Sequence, residues 1–115
     1  MAKIIRDLID LIKGAINFIK NLIKAIVTGL FNFLAHCVNW FKKLYLDKNK
    51  DVPFLAKGEY FKQMLDTAPV KEVGIFEGVY DESIDEITHH VYVEADGLDA
   101  KTREVLGNEP MVILN

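Results

Sequence analysis

The stretch Ala25–Phe41, AIVTGLFNFLAHCVNWF, carries no charged side chain over its 17 residues. Lys24 precedes it, and Lys42 and Lys43 follow it. Three readings compete: a membrane span, a buried core helix, or a helix whose apolar surface is shared between lipid and other copies of the chain. A span needs about 20 predominantly apolar residues. This stretch is shorter and contains Thr28, Asn32, His36 and Asn39, which share one edge of a helix. A lone span bathed in lipid does not have such an edge. A helix that turns it toward water, a pore lumen or a partner does. Lysines flank both ends, so the positive-inside rule sets no orientation. Trp40 and Tyr45, beside Lys42 and Lys43, are of the type that settles at a membrane interface.

The same edge extends outward in both directions. Lys3, Asp7, Asp10, Lys13, Asn17, Lys20, Lys24, Thr28, Asn32, His36, Asn39 and Lys43 recur every ~3.6 residues, the helical period. Arg6, Asn21 and Lys42 thicken this polar stripe. Proline is absent from it, and Gly14 and Gly29 weaken a helix by about 1 kcal/mol each relative to alanine. The rest of the circumference is apolar, roughly twice the ~100° arc of an ordinary surface helix. The pattern predicts one amphipathic helix over residues 1–46, on the order of 65 Å long. Leu8, Ile12, Ile19, Ile26, Phe33 and Trp40 are the expected contact surface. Lys3, Asp10, Asn17, Lys20, Lys24, Asn32, His36, Asn39 and Lys43 are the expected polar stripe.

Charge divides the chain the same way. Residues 1–50 hold nine basic and three acidic side chains, a net +6. Residues 66–115 hold twelve acidic and three basic ones, a net −9, and the residues between them balance, so the chain total is −3. A basic front and an acidic back point to a surface or partner rather than to a fold. Cys37 is the only cysteine, so no internal disulfide forms. The opening MAKIIRDLIDLIKG is interrupted by Asp7 and Asp10, unlike a signal peptide, and the expectation is cytoplasmic synthesis.

Residues 47–53 read as a polar hinge, because Pro53 disfavours helix at Val52. Residues 54–115 read as a small acidic head. A short helix is expected over Glu59–Asp66, ended by Pro69. VGIFEGVY (Val73–Tyr80) and ITHHVYVE (Ile87–Glu94), separated by DESIDE, read as a hairpin. LDAKTREVLG reads as a helix that Asp99 caps and Gly107 ends. Met111–Leu114 reads as a last strand. A right-handed crossover would lay it parallel to the second strand and beside the first. The expected class is therefore α+β: a long N-terminal amphipathic helix, then a β-β-α-β head with a three-stranded sheet.

Little in the sequence points to catalysis. His89 and His90 are adjacent and diverge on a strand, so they do not share a metal. His36 and Cys37 diverge by about 100° on a helix, and no further ligands stand at zinc spacing. DESIDE lacks the spacing and glycine of a calcium loop, and no phosphate-cradling glycine loop is present. The expectation is a non-enzymatic, self-assembling protein without cofactor or metal, oligomerising through its helix at or in a membrane. Its partners would be copies of itself and anionic lipid. A soluble filament or particle, or a helix docked into other subunits, are the alternatives. The acidic head and the apolar excess of the basic half argue against nucleic acid.

Overall fold

The computed structural model describes residues 2–3, 6–19, 21–59 and 70–114. The chain runs β1 (Ala2–Lys3), α1 (Arg6–Ile16), β2 (Lys24–Ile26) and β3 (Leu30–Phe31). A π-helix over Phe33–Val38 continues as α2 (Asn39–Lys42). Then come β4 (Asp51–Lys57), β5 (Val73–Asp81), β6 (Glu86–Ala95), β7 (Gly97–Leu98), α3 (Ala100–Leu106) and β8 (Met111–Leu114). The six-stranded sheet has the order β1-β8-β4-β5-β6-β2, and β3 pairs with β7 in a separate two-stranded ladder. Strands from both halves of the chain thus lie in one sheet. All its pairings are antiparallel except β2 with β6.

The class is α+β, but the long N-terminal helix is not formed. The first helix is 11 residues, Arg6–Ile16. The chain breaks where helix is weakest. Asn17 and Phe18 turn out of α1; a short amide side chain competes for backbone hydrogen bonds. The β-branched Ile23, Ile26, Val27 and Thr28 favour an extended chain, and Lys24–Ile26 pair with Tyr92–Glu94. Gly29 turns at φ +91°, a conformation natural to glycine. Asn32 then caps the next helix, its side chain accepting from the Ala35 N–H at 2.8 Å. Several residues of the apparent polar stripe are therefore turn and cap residues that fall by coincidence on a helical period.

Burial explains why breaking wins. A straight rod would leave most of its apolar circumference in water. Folded back, the same side chains cover both faces of the sheet. On one face Ile9, Ile12 and Ile16 of α1 pack with Phe54, Phe76, Tyr92, Met111 and Ile113. On the other, Phe31 and Cys37 pack with Leu55, Ile75, Val91, Val93, Leu106 and Val112, joined by the half-buried Phe33, Trp40 and Phe41.

The head also differs from expectation. The hairpin β5–β6 and helix α3 form as the sequence predicts, with the Asp99 side chain accepting from the Thr102 N–H and Gly107 closing the helix at φ +55°. The sheet is not three-stranded, however. Asp51–Lys57, which spans the end of the expected hinge and the start of the expected head, is a strand that inserts between β8 and β5. Pro53 is tolerated because β8 meets β4 only at Phe54–Ala56, so its missing N–H falls outside that ladder. The insertion leaves β8 antiparallel to its neighbour β4, and the predicted parallel crossover beside β5 does not occur. Of the expected helix Glu59–Asp66, all but Glu59 lies outside the described residues.

Candidate functional site

Helix α3 and the π-helix–α2 run share one sheet face, and a single side chain bonds to the start of both. One oxygen of Asp99 accepts from the Thr102 N–H at 2.9 Å, and the other accepts from the Phe33 N–H at 3.0 Å. Burial alone would raise the Asp99 carboxyl, but the Thr102 and Phe33 donors outweigh it and hold the group below the ordinary aspartate value. Each acceptance satisfies a backbone donor at a helix start.

Between these helices lies a cleft of about 530 Å³, within the 300–1,000 Å³ usual for ligand sites. Phe33, Val38, Phe41, Leu46, Pro53, Val105 and Leu114 supply its apolar walls. Lys42, Lys101 and Tyr45 line it as well. Both lysines are exposed, and Tyr45 is 92 % exposed at φ +51°. The arrangement is an apolar hollow with cationic and aromatic groups at its solvent edge. Lys43 is exposed next to this edge. Lys101 also meets Glu104 at 3.8 Å, an exposed pair of little energetic weight.

Cys37 lines this cleft and is wholly buried. Burial, with Glu77 nearby, pushes its thiol up, so it stays protonated and unreactive. Cys37 therefore offers the cleft no thiolate. Among the described residues no group of three or more histidine, cysteine, aspartate or glutamate side chains is placed to hold a metal.

The residues singled out from sequence are dispersed. Leu8, Ile12 and Ile19 meet on the α1 face of the sheet, where Ile12 is fully buried. Phe33 and Trp40 pack on the opposite face, and Ile26 stands 53 % exposed on the edge strand β2. Of the polar stripe, Asp10, Asn17, Asn32, Asn39 and Lys43 are exposed and His36 is half-buried. The His36 ring accepts the Asn32 N–H at Nδ1, 2.8 Å away. Lys24 is ion-paired with Glu94 at 2.7 Å. Lys20 and the Lys3 side chain lie outside the described residues. Among the described ones, only Phe33 lines the cleft. Lys101, Val105 and Leu114 come from the acidic half, and no local pattern marks them as partners of Lys42 and Tyr45.

No helix among the described residues is long and apolar enough to cross a membrane. In comparisons with known proteins the chain matches no protein family, no curated protein and no solved structure.

Proposed function

We propose that the protein is a non-enzymatic binding protein that attaches to anionic membrane surfaces through the mouth of the α2–α3 cleft. The observation that carries this reading is the pairing of apolar walls with Lys42, Lys101 and the protruding Tyr45. An acyl chain matches the walls, and a lipid phosphate or carboxylate matches the ammonium groups. Tyrosine adds area suited to the headgroup layer. Each lysine near an anionic surface contributes about 1 kcal/mol. The reading makes the protein peripheral to the membrane, the mouth of the cleft facing lipid.

Flotation of the full chain with vesicles tests it. Binding to phosphatidylcholine–phosphatidylserine vesicles, weak binding to phosphatidylcholine alone, and loss with added salt are expected. The double change Lys42→Glu, Lys101→Glu should weaken binding by roughly 30-fold or more, since it removes about 2 kcal/mol of attraction and adds repulsion. Absence of flotation on anionic vesicles at low salt would overturn the reading.

Self-association remains a second reading, carried by a different surface. Phe18 is 83 % exposed and Ile84 54 % exposed, and both line a hollow past the end of α1. Exposed apolar side chains grouped in this way mark an interface. Sedimentation of the wild type against Phe18→Ser decides it: a concentration-dependent dimer or larger particle that Phe18→Ser abolishes supports it, and a monomer throughout sinks it.

A further inference from the structure

On the other side of the π-helix from the cleft, Glu77 breaks an otherwise apolar surface. It stands on β5 between Leu55 of β4 and Val91 of β6, on the face that carries Ile75. Its side chain is fully buried, and neither carboxyl oxygen has a hydrogen-bond partner among the described residues. The Cys37 thiol is the one neighbour that favours the ionised carboxyl, and it does not offset the burial. Burial pushes Glu77 up to about 8, so at neutral pH it is a neutral acid. Leaving buried polar atoms unpaired costs stability, and a hydrophobic residue would fill the position at no such cost. The fold does not need this carboxyl.

A hollow of about 210 Å³ reaches it. Ala25, Val27, Ala35, Val91 and Val93 give it aliphatic walls, Trp40 gives it an indole, and His36 and Lys43 complete the lining. The missing element is a donor for Glu77 that enters from outside. We propose that this hollow binds a small primary alkylammonium ion, with Glu77 as its counter-charge.

The chemistry of each wall supports that class. An ionised carboxylate only accepts hydrogen bonds, and an ammonium group only donates, three at a time. Aliphatic walls match a short alkyl tail, and an indole stabilises a nearby cation. At roughly 30 Å³ per water-sized group, the hollow limits the guest to a few carbons. The other titratable or charged groups facing Glu77 are Cys37 and His36 on the π-helix and Lys43 just past α2, while the neighbouring strands present Leu55 and Val91. Lys43 is exposed, so its like charge is screened and disfavours dications more than monocations. On binding, the neutral acid and the alkylammonium ion become a carboxylate–ammonium pair, and one proton leaves Glu77 for solvent. No covalent bond to the ligand forms or breaks.

Trp40 is the only tryptophan, so its fluorescence reports on the hollow directly. The full chain is titrated with n-butylammonium chloride, n-butanol and sodium butyrate at pH 6, 7 and 8.5, with proton release measured calorimetrically in two buffers. Saturable binding of butylammonium alone is expected, with one proton released per ligand at pH 7. Affinity should rise about tenfold per pH unit up to about 8 and then level off. Glu77→Gln should weaken binding at least tenfold and abolish the proton release. Ala35→Leu, a change at an exposed position that narrows the hollow, should also abolish binding and decides the matter if Glu77→Gln does not fold. Absence of saturable binding, equal binding of butanol or butyrate, or binding that survives Ala35→Leu with no proton release would each overturn the proposal.

Discussion

The two faces of the sheet each bury one glutamate, and they treat it in opposite ways. On the α1 face Glu94, 1 % exposed, meets Lys24 at 2.7 Å and accepts the Val70 and Lys71 N–H groups at 2.6 and 2.9 Å. Burial would raise this carboxyl, but those partners outweigh it and hold it below the ordinary value. On the opposite face Glu77 has no such partners among the described residues and rises to about 8. The surroundings differ in the same sense. On the α1 face Phe54 stacks on Phe76 at 5.8 Å and Phe76 stacks on His90 at 5.9 Å. The helix-pair face contains the cleft, the Glu77 hollow and an unpaired thiol. The hollow past the end of α1 is lined partly from the α1 face, so what separates the two faces is polar satisfaction: one pairs its buried glutamate, and the other leaves unmet polar demand beside a hollow, which is what binding requires.

Mutations sharpen that contrast, and the largest effects belong to the α1 face. Ile12→Ala, at a fully buried position, should lower unfolding free energy by about 2–5 kcal/mol while leaving vesicle affinity of the folded protein unchanged. Chemical denaturation and flotation together check this. Glu77 should give the helix-pair face a distinctive pH dependence. Its folded value, about 8, lies above the ordinary 4.5, so the folded state holds the extra proton between those limits. Stability therefore falls as pH rises through that window, by about 1.4 kcal/mol per pH unit, and is flat above and below it. Glu77→Gln should flatten this slope and leave the variant more stable than wild type at pH 8. A steep slope that survives in Glu77→Gln would break the comparison.

Smaller effects follow. A Cβ placed on Gly74 would lie 1.8 Å from the Tyr92 hydroxyl, so the tyrosine must move. Gly74→Ala should destabilise by roughly 1–3 kcal/mol, read as a lower denaturant midpoint. Reversing Lys42 and Lys101 at the exposed cleft edge should shift stability by no more than about 0.5 kcal/mol, despite its large expected effect on flotation. A comparable loss of stability would mean the lysines hold the fold together rather than face lipid.

How far the sequence revealed this arrangement depends on whether a signal is local. The β5–β6 hairpin, the Asp99 cap and the Gly107 stop are written in neighbouring residues, and each forms as read. The N-terminal segment misleads because helical periodicity counts polar positions without asking what each does. Asn32 is a cap, and Lys24 answers Glu94, 70 positions later. Strand β4 was hidden behind Pro53, whose tolerance depends on how far β8 extends alongside it. The cleft unites Phe33 and Tyr45 with Lys101 and Leu114, a juxtaposition that only tertiary structure makes. Glu77 did leave a trace: strand alternation puts it on one face with Ile75 and Val79, an acid where the pattern calls for a hydrophobe.

The two acceptances at Asp99 have a mechanical consequence. Because the π-helix and α3 start from opposite oxygens of one carboxylate, their first turns are clamped together at a single side chain. Loss of that one carboxylate would free a backbone donor at both helix starts at once, so two walls of the cleft depend on the same residue.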